Sequence, residues 1–166
     1  MPRQKTLPDS QVLAAARRLY AQGGEKSVSF GSVARATGLA GSTLAQRYGS
    51  VEGMLSAAAR DGWAVLTEAA TAADAATTGK GPQGFLKALD PTARKAPLLL
   101  SLGTRDRVAR EAGAVWRAQI EAALARRIGS GEKARSAAQV LFAVWQGQIL
   151  WEDPEIRIKD LARRLT

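Results

Sequence analysis

Two side chains are missing altogether: the 166-residue chain has no cysteine and no histidine. Without cysteine there is no disulfide, no thiolate metal ligand and no thiol nucleophile. Without histidine the commonest general base, the commonest zinc ligand and the one side chain that ordinarily titrates near neutrality are absent. Most hydrolase and metalloenzyme chemistry is thereby excluded, and neither a catalytic residue, a metal site nor a cofactor is expected. Aromatic residues are scarce at 5%. No apolar run approaches the roughly 20 residues that span a bilayer. The stretch from Met1 to Ser10 has no apolar segment behind Arg3 and Lys5, unlike a signal peptide. A cytoplasmic location with no membrane partner is the expectation. Acidic residues are also in short supply, 15 against 24 Lys+Arg, for a net charge of +9. That surplus favours a polyanionic partner, nucleic acid or an anionic surface, without choosing between them.

What remains is a helix-forming composition. Hydrophobic residues make up 46% and charged residues 23%, which is globular. The length suits one domain, or a small domain fused to a second unit. Alanine, leucine and arginine dominate, and β-branched residues never alternate with polar ones over a strand length, so an all-α fold is expected.

Asp9 and Ser10 are candidate caps for a first helix, which carries Val12, Leu13, Ala16, Leu19 and Tyr20 on one face and ends at Gly23-Gly24. Ser27 or Ser29 can cap a second, short helix that stops at Gly38. A third runs from about Gly41 to Tyr48, with Leu44 and Tyr48 as core. A long helix follows from Val51 to about Ala73. Residues 77–82 read as a loop. Beyond it Phe85, Leu86 and Leu89 make a short amphipathic helix, Asp90-Pro91 reads as a cap followed by proline at the first helical position, and boundaries between Gly84 and Gly103 stay open. Thr104 is the expected cap of a helix running to Ile128, with Val108, Ala112, Val115/Trp116, Ile120 and Ala123/Leu124 in its stripe. From Glu132 to Trp151 the pattern is apolar on nearly every side. A helix of that kind must be buried all round, which a chain of this size can hardly do alone, so a partner subunit is implied. Asp153-Pro154 caps a last helix with Ile158, Leu161 and Leu165 inward.

The functional signal lies where two short helices meet across Gly38-Leu39-Ala40. This is a helix–turn–helix arrangement. The first helix supports, and the second can enter the major groove of double-stranded DNA. Ala34 is small inside the supporting helix, Gly38 makes the turn and Leu39 anchors it. Ser42, Thr43, Gln46 and Arg47 form the open polar face, and Gln and Arg are residue types that read base edges bidentately. The bland alternative is the polar side of an ordinary helical hairpin.

Residues Val12 to Leu55 resemble the DNA-binding domain of the TetR family of bacterial transcriptional regulators. The resemblance rests on Val12-Leu13-Ala14-Ala15-Ala16, Leu19-Tyr20 and Gly24. It continues through Val33-Ala34, Ala36-Thr37-Gly38-Leu39, Gly41-Ser42-Thr43-Leu44 and Tyr48, and then Ser50, Glu52 and Leu55. It implies a three-helix DNA-binding domain at 1–50. A helical-bundle ligand-binding and dimerisation domain would follow at 51–166. The implied function is a ligand-responsive homodimeric repressor acting on a pseudo-palindromic operator, in which ligand entry shifts the helix from Val51. The implied DNA-facing residues are Arg3, Lys5, Lys26, Ser29, Arg35, Ser42, Thr43, Gln46 and Arg47. A pocket for a small apolar or aromatic ligand would be lined by Trp63, Phe85, Trp116, Gln119 and Trp145, with Gln146, Gln148 and Arg117 as further orienting groups. A dimer interface would use Phe142, Trp145, Gly147, Trp151, Ile158 and Leu161.

Departures from the family pattern qualify this. Ala40 stands where the turn usually has a serine cap, Ala45 where a phosphate-binding tyrosine is common, and Val51 where a lysine follows the recognition helix. Gly41 stands where Lys or Arg is frequent. Compensating phosphate contacts are open to Arg3, Lys5, Arg17, Lys26, Arg35 and Arg47. Residues 1–50 hold seven Lys/Arg against Asp9 and Glu25, a local surplus of 7 − 2 = +5. The rival reading is a TetR-like module that has lost strong DNA binding and acts on another regulator.

Overall fold

The computed structural model describes residues 7–152 and 157–165. Arg3, Lys5 and the Asp153-Pro154 pair lie outside the described residues. All regular structure among the described residues is helical. In order the helices are α1 (Asp9–Gly23), α2 (Phe30–Thr37), α3 (Gly41–Tyr48), α4 (Val51–Ala76), α5 (Pro82–Ala93), α6 (Ala96–Leu102), α7 (Arg107–Ile128), α8 (Gly131–Trp151) and α9 (Ile158–Leu165), with one 3-10 turn at Glu25–Ser27. The chain separates into two compact units. One comprises Met1–Trp63 with Leu98–Arg110, and the other Ala64–Pro97 with Glu111–Thr166. The first unit therefore takes in more than residues 1–50: the opening turns of α4, most of α6 and the start of α7 belong to it.

In the first unit, α1 buries the expected face of Val12, Leu13 and Ala16, and Val33, Leu39, Leu44, Met54, Leu55 and Ala58 are buried in the same unit. The helix starts earlier than its candidate caps suggested. Asp9 is its first residue and Pro8 its N-cap, without a side-chain bond. At the other end Gly24 adopts φ 68°, where a side chain would be strained, and its N–H bonds Tyr20 O at 2.8 Å. Ser27 Oγ then donates to Leu19 O at 2.5 Å, tying the 3-10 turn back onto α1. Arg17, open to phosphate in the sequence reading, is instead an internal clamp. Its Nη1 donates to Ala58 O at 2.8 Å and to Asp61 Oδ2 at 2.7 Å. Tyr20 Oη and Ser101 Oγ share a 2.9 Å hydrogen bond.

The second unit packs the remaining helical segments around Leu66, Phe85, Leu86, Leu89, Trp116, Ile120, Leu124, Leu141, Phe142 and Trp145, all buried. Trp116 meets Phe142 edge-on at 5.9 Å, and Phe142 meets Trp145 at 6.1 Å, the offset geometry that ring quadrupoles favour. Arg127 crosses from α7 to the end of α4. It donates to Asp74 Oδ1 at 2.6 Å, Asp74 O at 3.2 Å and Thr77 Oγ1 at 3.0 Å, with its guanidinium 4.4 Å from the Phe85 ring centroid. Burial alone would raise the Asp74 carboxyl, but the hydrogen bonds and charges of Arg127 and Arg126 outweigh it and hold it below its ordinary value.

Three element assignments change. Pro91 is not at a helix start: α5 runs from Pro82, itself in the first turn, through Pro91 to Ala93. Pro91 gives up the one bond its own N–H would have made to the preceding turn, and the Asp90 side chain bonds Arg94 and Trp145. Thr104 does not cap α7. Asp106 does, accepting from Val108 N at 2.9 Å and Ala109 N at 3.3 Å, while Thr104 Oγ1 donates back to Ser101 O. Trp116, Ile120, Ala123 and Leu124 of the expected stripe are buried, but Ala109 is buried in place of Val108, and Val108 and Val115 are exposed. Finally, α8 is one-sided within the chain. Ala134, Ala137, Ala138, Leu141, Phe142, Trp145 and Ile149 face inward, while Val140, Leu150 and Trp151 are 44%, 59% and 78% exposed.

Candidate nucleic-acid interface

The supporting helix α2 is fastened at both ends. Ser29 Oγ accepts from Ser32 N at 3.0 Å, and Ser32 Oγ accepts from Ser29 N at 2.9 Å, a reciprocal capping box. Ser29 thus spends its hydroxyl on the helix, not on an open donor site. At the far end Gly38 takes the left-handed conformation, φ 74°, and its N–H reaches Ala34 O at 2.8 Å. Thr37 is buried, with Oγ1 donating to Val33 O at 2.7 Å. Leu39 is buried beside it, and Leu44, one turn into α3, is fully buried. Gly38 and these two leucines fix how α3 leaves the turn.

Ala40 is the N-cap of α3, with an extended backbone and no side-chain cap. Beyond it, Ser42 and Gln46 stand one helical turn apart on the exposed face, and Thr43 is half-buried. Gly49, at φ 73°, ends the helix. Ser50 Oγ then accepts from Gly53 N at 2.9 Å to start α4. A Cβ on Gly53 would collide with the Tyr48 carbonyl oxygen, so the close junction of α3 and α4 depends on a residue that local sequence patterns did not single out.

Arg47 behaves differently from its neighbours on α3. Its Nη1 donates to Leu7 O at 2.9 Å and pairs with Asp9 Oδ1 at 3.2 Å. Tyr48 Oη donates to the same Asp9 oxygen at 3.0 Å. Arg47 is therefore turned to the start of α1. Tyr48 is not plain core either: it is half-buried with its hydroxyl engaged. Burial, and then donation to the charged Asp9, push its pKa up to about 12. Asp9 lies 38 residues from Arg47, a spacing no local motif reveals. Lys26 and Arg35 are exposed, as is Arg18.

The residues expected to line a ligand pocket divide. Trp63 falls in the first unit, and Phe85, Trp116, Gln119 and Trp145 in the second. Phe85 carries the Arg127 guanidinium, and Gln119 Nε2 donates to Thr71 Oγ1 at 2.8 Å. Among the expected interface residues, Phe142 and Trp145 are buried in their own unit. Gly147, Ile158 and Leu161 are partly exposed and Trp151 is open. No helix among the described residues is long and apolar enough to cross a membrane, and no group of three or more potential metal ligands occurs among them.

No family model and no curated protein matches this chain. Solved structures do. The TetR-family transcriptional regulator PfmR from Thermus thermophilus is 19% identical, with 93% of each chain covered and a TM-score of 0.64. A transcriptional regulator of the TetR/AcrR family from Thermobifida fusca is 19% identical over 95% of each chain, with a TM-score of 0.60. One from Aquifex aeolicus is 13% identical over 95% of each chain, with a TM-score of 0.64. The chain has the all-α fold of TetR-family transcriptional regulators.

Proposed function

We propose that this protein is a DNA-binding transcriptional regulator, a homodimeric, ligand-responsive repressor that is not an enzyme. Its reading head is the 1–50 segment, and 51–166 serves ligand binding and dimerisation. The observation that carries the reading is the α2–turn–α3 geometry. A glycine turn and two buried leucines hold a short helix whose Ser42 and Gln46 face solvent, within a fold shared with known regulators. In this reading Ser42, Thr43 and Gln46 meet base edges, Lys26, Arg35 and the Arg3/Lys5 arm meet phosphates, and Arg47 fixes the arm's point of departure at Leu7. The exposed apolar face of α8, with Trp151, Leu150 and Val140, joins Gly147 and Leu161 in the subunit contact, and Ile158 is left to a cleft within its own unit. Two reading heads about 34–36 Å apart then match one turn of DNA.

Fluorescence anisotropy of the full chain against its own upstream DNA and a scrambled duplex tests this. The expected result is a preference of at least about 10³-fold for the native site, two subunits per site and a steep loss of affinity with salt. Weak, equal binding to both duplexes, with no site recovered from a genome-wide selection, refutes it. That outcome favours the second reading, a module acting on another regulator. The engagement of Arg47 by Asp9, with Ala40, Ala45 and Val51, is what supports that alternative.

A further inference from the structure

In the second unit a cleft of about 590 Å³ opens between α5, α8 and α9. This is the size of a small-molecule site. Leu86, Pro91, Trp145 and Ile158 are its apolar lining, Leu86 and Trp145 each presenting only an edge, and polar and charged side chains line the remainder. The charges there are not evenly matched. Asp90 is paired with Arg94 at 3.0 Å and accepts Trp145 Nε1 at 3.3 Å. Asp160 is paired with Arg157 at 2.7 Å. Lys87 and Lys159 also line the cleft and are exposed. Neither forms an ion pair among the described residues. The site therefore offers an apolar, aromatic-edged lining, two carboxylates already neutralised by arginines, and two ammonium groups with no ion pair among the described residues.

From this geometry we infer that the cleft binds an amphipathic organic anion: a carboxylate on an aromatic or aliphatic body, with the body against Trp145 and Leu86 and the carboxylate between Lys87 and Lys159. This deepens the ligand-responsive part of the proposed function. It also changes the ligand class expected from sequence, from purely apolar to apolar with one negative charge. An occupant of this kind satisfies both halves of the cleft. A neutral apolar body leaves the ammonium groups unused, and an inorganic anion leaves the apolar walls wet.

The test is isothermal titration of the full chain with matched pairs: 1-naphthaleneacetate against 1-naphthaleneacetamide, and dodecanoate against dodecanamide. At low salt, two rim ion pairs predict that the acid of at least one pair binds about fivefold or more tighter than its amide. That margin shrinks between about 20 and 200 mM salt, as exposed charges are screened. The K87Q/K159Q variant, both positions being exposed, is expected to fold normally and to lose the preference while keeping amide binding. The K80Q control keeps the preference. Equal binding of acid and amide, no binding by any acid, or an unchanged preference in K87Q/K159Q overturns the inference. So does acid binding that disappears as rising protein concentration drives self-association, because the cleft is then a contact between copies of this chain. No DNA enters the assay, so its failure is distinguishable from failure of the DNA-reading proposal.

Discussion

Ala40 and Ser29 occupy equivalent positions, each the N-cap of one helix of the helix–turn–helix, but only one of them caps. Ser29 sits at φ −143°, ψ 163° and its hydroxyl accepts the N3 amide of α2. Ala40 sits at φ −72°, ψ 142°, also extended, and offers α3 nothing. Ala40 is exposed, so a hydroxyl can be added there without repacking. Serine at an N-cap is worth about 1 kcal/mol over alanine, within a range of about 0.5–2. A40S should therefore stabilise the first unit by about 1 kcal/mol and S29A destabilise it by about the same amount, a spread of about 2 kcal/mol between variants. For a chain of this length each kcal/mol moves the midpoint by about 2–4 °C. Thermal and urea unfolding followed by circular dichroism reads both, with the urea slope expected to stay constant because neither change alters the surface exposed on unfolding. If S29A costs the expected amount and A40S gains nothing, then α3 is held wholly by Gly38, Leu39 and Leu44, and the missing cap is no deficit. If neither variant moves the midpoint, the capping argument itself is refuted.

Three further outcomes follow from packing and charge. Of the two tyrosines, Tyr48 should ionise only near pH 12. Because its folded pKa lies above the unfolded one, its contribution to stability is whole below about pH 10 and is lost as pH rises toward 12; ultraviolet titration of Y20F isolates it, and D9N should lower the midpoint. R127M should cost about 2–3 kcal/mol in urea unfolding, less than for a fully buried pair because Asp74 is one-third exposed. With its folded pKa depressed, Asp74 stabilises above the ordinary carboxylate range and the effect is lost as pH falls through the folded value, so R127M should also unfold less steeply in acid. G53A should destabilise by about 1–2 kcal/mol, the steric conflict with the Tyr48 carbonyl exceeding the helix-propensity gain of about 1 kcal/mol; a stabilised variant refutes that reading of the junction.

How much was legible depended on the range of the interaction. The α1 face, the Gly38 turn, and α3 from Gly41 to Tyr48 follow from periodicity and turn chemistry within a few residues, and the structure has them. Where two local signals compete, the sequence does not arbitrate. Asp90-Pro91 and Thr104 are both good helix starts in isolation, but Pro82 and Asp106 are the starts used, and Asp90 instead bonds Trp145 from another helix. The apparent all-round hydrophobicity of α8 resolves into a buried stripe and an open one, a division set by which neighbours the fold supplies. Site chemistry fared worst where partners are distant: Arg17 with Asp61, Arg47 with Asp9 and Arg127 with Asp74 are separated by 44, 38 and 53 residues.

These distant pairs bear directly on the charge argument for DNA. The +5 surplus of residues 1–50 counts seven cations, but Arg17 and Arg47 are internally paired. Arg18, Lys26 and Arg35 are exposed, and Arg3 and Lys5 lie outside the described residues. Each phosphate neutralised contributes about −0.9 to the slope of log affinity against log salt. The two described phosphate contacts proposed per subunit, Lys26 and Arg35, give the proposed homodimer a slope of about −4, and four, with Arg3 and Lys5, give about −7. Deleting residues 1–6 therefore measures the arm: a fall from about −7 to about −4 assigns it two phosphates per subunit, and an unchanged slope assigns it none. Asp9 acts in the opposite sense, because it holds the cation of Arg47 at the start of α1. D9N should free that charge, tighten binding to any duplex and steepen the slope by about 2 for the dimer. If D9N leaves both affinity and slope unchanged, Arg47 is a structural tie to Leu7 alone, and DNA binding must be carried by Ser42, Thr43, Gln46 and the exposed cations.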